Sequence, residues 1–201
     1  MLIAIDNTMT KLSMGWFKEF RFYRLAKASV FYFYNHIITW TPSYHVRHAY
    51  LRHVLRIKIG KGSSIHMGCF ITGNNIIIGR NCVINRKCYL DGRTGLVMGD
   101  NVGISPEAYI LSQTHLIRDP EFSVVGGLVT LEDFVWVGAR AMIMPGVTVC
   151  RGCVVGAGAV VTRSSLPYKI LAGVPAKEIG NRPENLKYTL SFFPFFDTDI
   201  S

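Results

Sequence analysis

The stretch IGKGSSIHMGCFITG, Ile59 to Gly73, sets isoleucine at positions 59, 65 and 71, with glycines and small residues in the gaps. A repeat of six fits neither the 3.6-residue period of a helix face nor the two-residue alternation of a long strand. It fits a short strand followed by a corner, with one aliphatic side chain per strand turned inward. Carried outward, the series restarts after a slip of one residue at Ile78, Ile84 and Leu90, and after a slip of two at Met98, Ile104 and Ile110. It resumes at Leu131 and continues through Val137, Ile143, Val149, Val155 and Val161. All 15 slots hold Ile, Val, Leu or Met, although these types fill only 36 of the 108 positions from 59 to 166.

A second slot, four residues after the first, is small or Val at fourteen of fifteen positions, with Asn75 the exception. Glycine follows the aliphatic at Gly60, Gly79, Gly99, Gly138 and Gly156, where a tight corner leaves no room for a Cβ. Three sides close a triangular coil of 18 residues, giving five coils that start at Ile59, Ile78, Met98, Leu131 and Val149. Each coil buries its inward residues only by stacking on its neighbours, so the expected fold is an all-β solenoid. Cys69, Cys82, Cys88 and Cys153 fall in the small inward slot and read as apolar fillers. Scattered through the repeat, these four suggest neither disulfides nor zinc, and they fit a reducing, cytoplasmic setting.

A chain of 201 residues is long enough for one domain with a proper core. Its 22 Lys and Arg against 13 Asp and Glu leave a formal charge of +9, which favours an anionic partner. The basic residues are spread out, without the concentrated run that would favour nucleic acid. Hydrophobic content of 49% argues against disorder. No secretory signal is expected, because MLIAIDNTMTKLSMGW puts an acid and polar residues where an apolar core should lie. The uncharged run from Ala28 to Val46 is broken by Asn35, His36, Pro42, Ser43 and His45, too often for a spanning helix. His45, His48 and His53, in a stretch expected to be helical, sit among Arg47, Arg52 and Arg56 and read as a basic face rather than metal ligands.

The beat fails in YILSQTHLIRDPEFSVVGG, Tyr109 to Gly127, and His115 stands in the gap. It follows directly on a strand of a rigid scaffold, where loops carry function. Long insertions in compact domains are usually functional or disordered. Histidine is the side-chain type suited to proton transfer near neutral pH.

The segments INRKCYLDG, MGDNVGISPEAYILSQTH, VWVGARAMIMPGVTV, VVGAGAVVTRSSLP and LAGVPAKEIG resemble those of the hexapeptide-repeat acyltransferases. The likeness spans about residues 57–179 and is closest to the galactoside and maltose O-acetyltransferases and the acetyltransferases of exopolysaccharide synthesis. It implies a left-handed parallel β-helix, acetyl-CoA as co-substrate, no metal, and a homotrimer with sites between adjacent chains. It further implies that His115 is the general base that deprotonates an acceptor hydroxyl, and it matches Asn85 to an active-site asparagine. Asp91, six residues on in the next hexad, becomes a candidate for binding sugar hydroxyls, and Trp136 matches an aromatic near the acceptor and the pantetheine. Ala139, Ala157 and Ala159 would admit the pantetheine; Thr162, Arg163 and Lys177 match the cofactor-binding residues after the last coil. The family's further basic position is Gly180 here, with Arg182 and Lys187 as substitutes. Glu107, Asp119 and Glu121 are all candidates for orienting His115.

The expected organisation is a helical cap over residues 1–56, coils over 57–166 with an inserted loop at 112–130, and a CoA-contacting segment with an apolar tail over 167–201. The cap, rich in Phe, Tyr and Trp with interspersed Lys and Arg, also suits a peripheral interfacial helix. The tail SFFPFF, Ser191 to Phe196, is expected to dock on a neighbour. The expected function is O-acetylation of a saccharide or saccharide-linked hydroxyl in surface-polysaccharide assembly. The alternatives are an N-acetyltransferase of nucleotide-linked amino sugars, an antibiotic acetyltransferase, and a non-catalytic β-helix subunit.

Overall fold

The structure, a computed structural model, describes residues 7–198, with side chains from residue 21 onward, so the outermost residues of both expected end segments lie outside the described residues. Residues 58–161 form three parallel ladders, one for each face of a triangular prism. On the first face Ile59, Ile78, Met98, Leu131 and Val149 stand in register. On the second stand Ile65, Ile84, Ile104, Val137 and Val155, and on the third Ile71, Leu90, Ile110, Ile143 and Val161. The six-residue beat is therefore the pitch of the faces, and the slips of one and two residues are absorbed at corners without loss of register. The aliphatics, with the small side chains of Cys69, Cys82, Cys88, Val102, Ala108, Ala141 and Cys153, form one continuous buried core. Burial pushes the Cys82 thiol up to about 11, as an inert filler requires. A strand at Lys169–Ala172 adds Leu171 to the second face and begins a sixth coil.

The corners explain the glycines. A Cβ at Gly60 would lie 2.4 Å from the carbonyl oxygen of Gly79, and one at Gly79 would lie 2.2 Å from that of Gly99. Close stacking of successive corners, rather than unusual backbone angles, excludes a side chain there. A different slot, three residues after the aliphatic, has positive φ along two edges: Gly62, Asn81, Asn101 and Phe134 on one, Gly68, Lys87, Glu107 and Arg140 on the other. Side-chain-bearing residues adopt that region at a cost, and the repeat imposes it even on Phe134 and Arg140.

Helix α1 (Asn7–His36) and the short helix α2 (Tyr44–Ala49), continued by a π-helical turn at Tyr50–Val54, close the open end of the first coil. They do so by supplying hydrogen bonds that a further strand would have made. The Asn35 amide donates to Ile71 O and accepts from Ile71 N, both at 2.9 Å. The Arg47 guanidinium donates to Ile65 O, and His48 Nε2 accepts from Ile65 N at 3.2 Å. Burial, reinforced by Arg52 and Arg47, pushes the His48 pKa down to about 4, which keeps the ring a neutral acceptor.

The tail departs from expectation. Instead of leaving for a neighbour, residues 182–197 run back along the second face of their own chain. Arg182 donates to Phe134 O at 2.8 Å, Leu190 N donates to Asn101 Oδ1, and Phe192 stacks on His66. Asp197, fully buried, ends the run by accepting from Arg47, Met67 N and His66 Nδ1. The buried Arg47 guanidinium would be costly to bury without an anionic partner, and this carboxylate supplies one.

Candidate active site

The insertion after the third strand of the third coil is an antiparallel hairpin rather than an irregular loop. Gln113–His115 pairs with Val124–Gly126, setting His115 opposite Val124. Its turn is closed by Asp119, whose carboxylate accepts from Glu121 N at 3.0 Å and Ser123 N at 3.1 Å. These bonds hold the Asp119 carboxyl below its ordinary range. Phe122 adopts positive φ in this turn, and its ring stacks on the imidazole of His115 with centroids 3.9 Å apart.

The same turn aims the Phe122 carbonyl oxygen at His115 Nδ1, 2.8 Å away. A carbonyl can only accept, so Nδ1 carries the proton and Nε2 presents its lone pair outward from an exposed ring. The orienting group is thus a backbone carbonyl, which the side-chain inventory could not reveal. The three expected acids serve elsewhere: Glu107 pairs with Arg140 at 2.7 Å on another edge of the prism, Asp119 closes the turn, and Glu121 gives that turn its backbone N–H.

Asp91 also departs from expectation. Its side chain is 0% exposed, so it has no free face for a sugar. One oxygen takes Arg93 N and Nε and the Thr72 hydroxyl; the other takes Arg93 Nη2 at 2.8 Å and Ser112 N at 3.0 Å. Burial alone would raise its pKa, but the Arg93 and Ser112 hydrogen bonds outweigh it and hold the carboxyl at about 2. Ser112 is the residue from which the hairpin springs, so Asp91 pins the root of the arm that carries His115. Thr94 reinforces that root, donating through its backbone N to Ser112 Oγ and through its hydroxyl to Ser112 O.

Asn85 sits at the edge where the second face turns into the third, its Nδ2 donating to Ile104 O at 3.2 Å. One coil on, Ser105 occupies the same place and accepts from Trp136 Nε1 at 3.0 Å. Asn85, Ser105 and Trp136 line a cavity of about 510 Å³ whose other wall is Tyr188, Leu190 and Phe192 of the returning tail. Sequence reasoning misses Ser105; its place in the hexad, one coil after Asn85, is the available signal. Further along this edge Ala139 is half-buried and Ala157 exposed, and Gly158 N donates to Ala139 O. Ala159 is different: it is 1% exposed and its methyl belongs to the core, so it cannot line a pantetheine channel.

Thr162 and Arg163, both exposed, lie just past Val161 at the edge between the third and first faces. That is the edge from which the His115 hairpin leaves. Lys177 is exposed at the start of the strand Lys177–Asn181, which pairs with Lys169–Ala172. Arg182 is spent on holding the tail, and so is a poor substitute for the missing basic residue at Gly180. The candidate residues thus divide between two edges of one prism: Asn85, Ser105, Ala139 and Ala157 on one, His115, Thr162 and Arg163 on the other. His115 does not line the cavity that holds Asn85 and Trp136.

A triangular parallel β-helix with a histidine-bearing hairpin defines a class, and comparison with known proteins agrees with it. Residues 129–163 match the family model described as bacterial transferase hexapeptide (six repeats). The chain resembles the hexapeptide-repeat acyltransferases in sequence and shares their left-handed β-helix fold. The galactoside O-acetyltransferase of Escherichia coli is 32% identical over 123 residues, 59% of this chain and 54% of that protein. The chain spans about half the length of the curated relatives it matches. A solved galactoside acetyltransferase in complex with coenzyme A superposes with a TM-score of 0.70 at 26% identity, covering 84% of this chain and 88% of the other. AntD, an N-acyltransferase from Bacillus cereus solved with dTDP and coenzyme A, superposes with a TM-score of 0.60 at 27% identity, over 64% and 74% of the two chains.

Proposed function

We propose that the protein is an acetyl-CoA-dependent O-acetyltransferase that acts on a hydroxyl of a saccharide or saccharide-linked acceptor, in surface-polysaccharide assembly in the cytoplasm. The observation that carries this reading is the Nδ1–H···O=C bond from His115 to Phe122, which prepares Nε2 as a base. Nε2 takes the acceptor hydroxyl proton as that oxygen attacks the thioester carbonyl. The imidazolium then returns the proton to the departing thiolate, giving the acetyl ester and free coenzyme A. Base catalysis of this kind contributes roughly 10²–10⁴-fold; the remainder falls to positioning and to hydrogen bonds at the developing oxyanion. Asn85 and Trp136 serve the acceptor, the small residues Ala139 and Ala157 admit the pantetheine, and Thr162, Arg163 and Lys177 meet the phosphate end of the nucleotide.

Because the two sets of residues occupy different edges, the complete site forms between neighbouring chains of a homotrimer, the His115 edge of one against the Asn85 edge of the next. The apolar hairpin supports this: Leu116, Ile117, Phe122, Val124 and Leu128 are all exposed, Ile117 at 97%. The experiment is complementation. His115→Ala and Asn85→Ala are each refolded alone and then together, and thiol release from acetyl-CoA is followed across a sugar panel. About a quarter of parent activity returns in the mixture if each site draws on two chains, whereas the mixture only averages the two variants' own activities if each chain holds a whole site. A second reading, N-acylation of a nucleotide-linked amino sugar, is favoured by the likeness to AntD. An amine acceptor that works best, with little loss in Asn85→Ala, would select it.

A further inference from the structure

The charge of this chain is lopsided in its acids even more than in its bases. Residues 20–90 contain eleven Lys and Arg and no Asp or Glu, whereas residues 91–198 contain nine Lys and Arg against ten Asp and Glu. The cofactor phosphates proposed above would lie among the last coils, in the nearly neutral part, and do not account for the excess. The acid-free stretch comprises the second half of α1, α2 and most of the first two coils, all at one end of the prism. Some of its cations are met by acids from elsewhere: Arg80 by Asp100, and Arg47 and Arg86 by Asp197. Arg52, Arg56, Lys58 and Lys61 remain at the surface of that end, exposed beside exposed His45 and His53.

Helix α1 adds apolar surface to this charge. Its contribution to the core begins only at Val30, and every side chain from Arg21 to Ser29 is exposed. Within that segment Phe22 is 74%, Tyr23 64% and Leu25 65% exposed, interleaved with Arg21, Arg24 and Lys27. Tyr32, Phe33 and Trp40 continue the aromatic exposure toward the first coil. Large exposed aromatic patches mark a surface that something covers. No described helix is long and apolar enough to cross a membrane. Aromatic and basic side chains sharing one exposed helix are what an interfacial helix uses, rings in the acyl boundary and cations at the headgroups.

We propose that α1 and the adjoining basic end of the first coil dock on an anionic lipid surface, holding the prism against it. This does not depend on the acyl-transfer reading, and its test needs no substrate. The purified full chain is floated with vesicles of phosphatidylcholine containing about a third phosphatidylglycerol, and with vesicles of phosphatidylcholine alone. Binding is expected to the first, at least tenfold weaker to the second, and lost at high salt. The variant Phe22→Ser/Tyr23→Ser/Leu25→Ser is expected to stop floating while keeping its circular dichroism and melting temperature, since these side chains lie outside the core. Arg21→Gln/Lys27→Gln is expected to weaken partition about thirtyfold. Failure of the parent to float with anionic vesicles, or equal flotation of the serine variant, overturns the proposal. So does a serine variant whose light-scattering mass falls to a smaller oligomer, because α1 is then a contact between copies.

Discussion

The two edges that carry the candidate residues are built on opposite plans. On the Asn85 edge nothing is inserted: corner residues succeed one another coil by coil, and Asn85, Ser105 and Ala139 inherit their places from the ladder beneath them. On the His115 edge the ladder is interrupted, and the histidine stands on a hairpin whose every contact must be made locally. The first plan yields a fixed groove. The second yields reach, and needs its own anchors at root and tip. Chemistry assigned to the reaching edge and binding assigned to the fixed edge is a division that substitutions can break. The largest effect is expected for His115→Ala, a loss of roughly 10²–10⁴-fold in thiol release with melting unchanged, because the ring is exposed and removes no core contact. An unchanged rate would take the base off the hairpin.

Asp91→Asn tests whether the arm needs its root. The carboxylate is held at about 2, below the ordinary 3.8, so its contribution to stability is full above pH 3.8 and is lost as pH falls through 2. That shift corresponds to about 2 kcal/mol at neutral pH. An amide in place of the carboxylate is therefore expected to lower stability by about that amount in urea, and to flatten the acid limb of the stability curve in that window. Because Ser112 N loses its charged acceptor, the rate should fall with it while acetyl-CoA binding, measured by calorimetry, stays. Loss of nucleotide binding instead would mean that Asp91 serves the groove and not the arm.

The coils were legible because their physics is one-dimensional: each aliphatic must stack on its counterpart one coil away, so burial imposes a period that the chain cannot hide. His115 was legible for the converse reason, as the place where the period stops. What stayed hidden depends on contacts that leave no periodic trace. The partner of His115 Nδ1 is a backbone oxygen, which has no residue type. Asp91 fell in a slot that looked outward by counting, but the two-residue slip before Met98 begins beside it, and Arg93 and Ser112 hold the carboxylate inside. The docking of SFFPFF on its own chain rests on one buried carboxylate, Asp197, meeting Arg47 and His66 from the far end of the sequence.

The fixed edge is tested by smaller effects. Asn85→Ala should cost about tenfold in kcat/KM with a hydroxyl acceptor, as expected for the loss of one hydrogen bond to that acceptor, and little with an amine. Ser105→Ala is the finest probe. It removes only the acceptor of the Trp136 indole N–H, leaving the ring, the tail and Asn85 in place. A half-exposed hydrogen bond contributes about 0.5–1.5 kcal/mol, so the acceptor KM should rise about two- to tenfold while kcat holds. The pattern follows from what the bond does: it fixes the tilt of Trp136 in the cavity wall and touches no transferring atom. Should kcat fall and KM stay, Ser105 itself would belong with the reacting groups, and the division between a binding edge and a chemical edge would have to be redrawn.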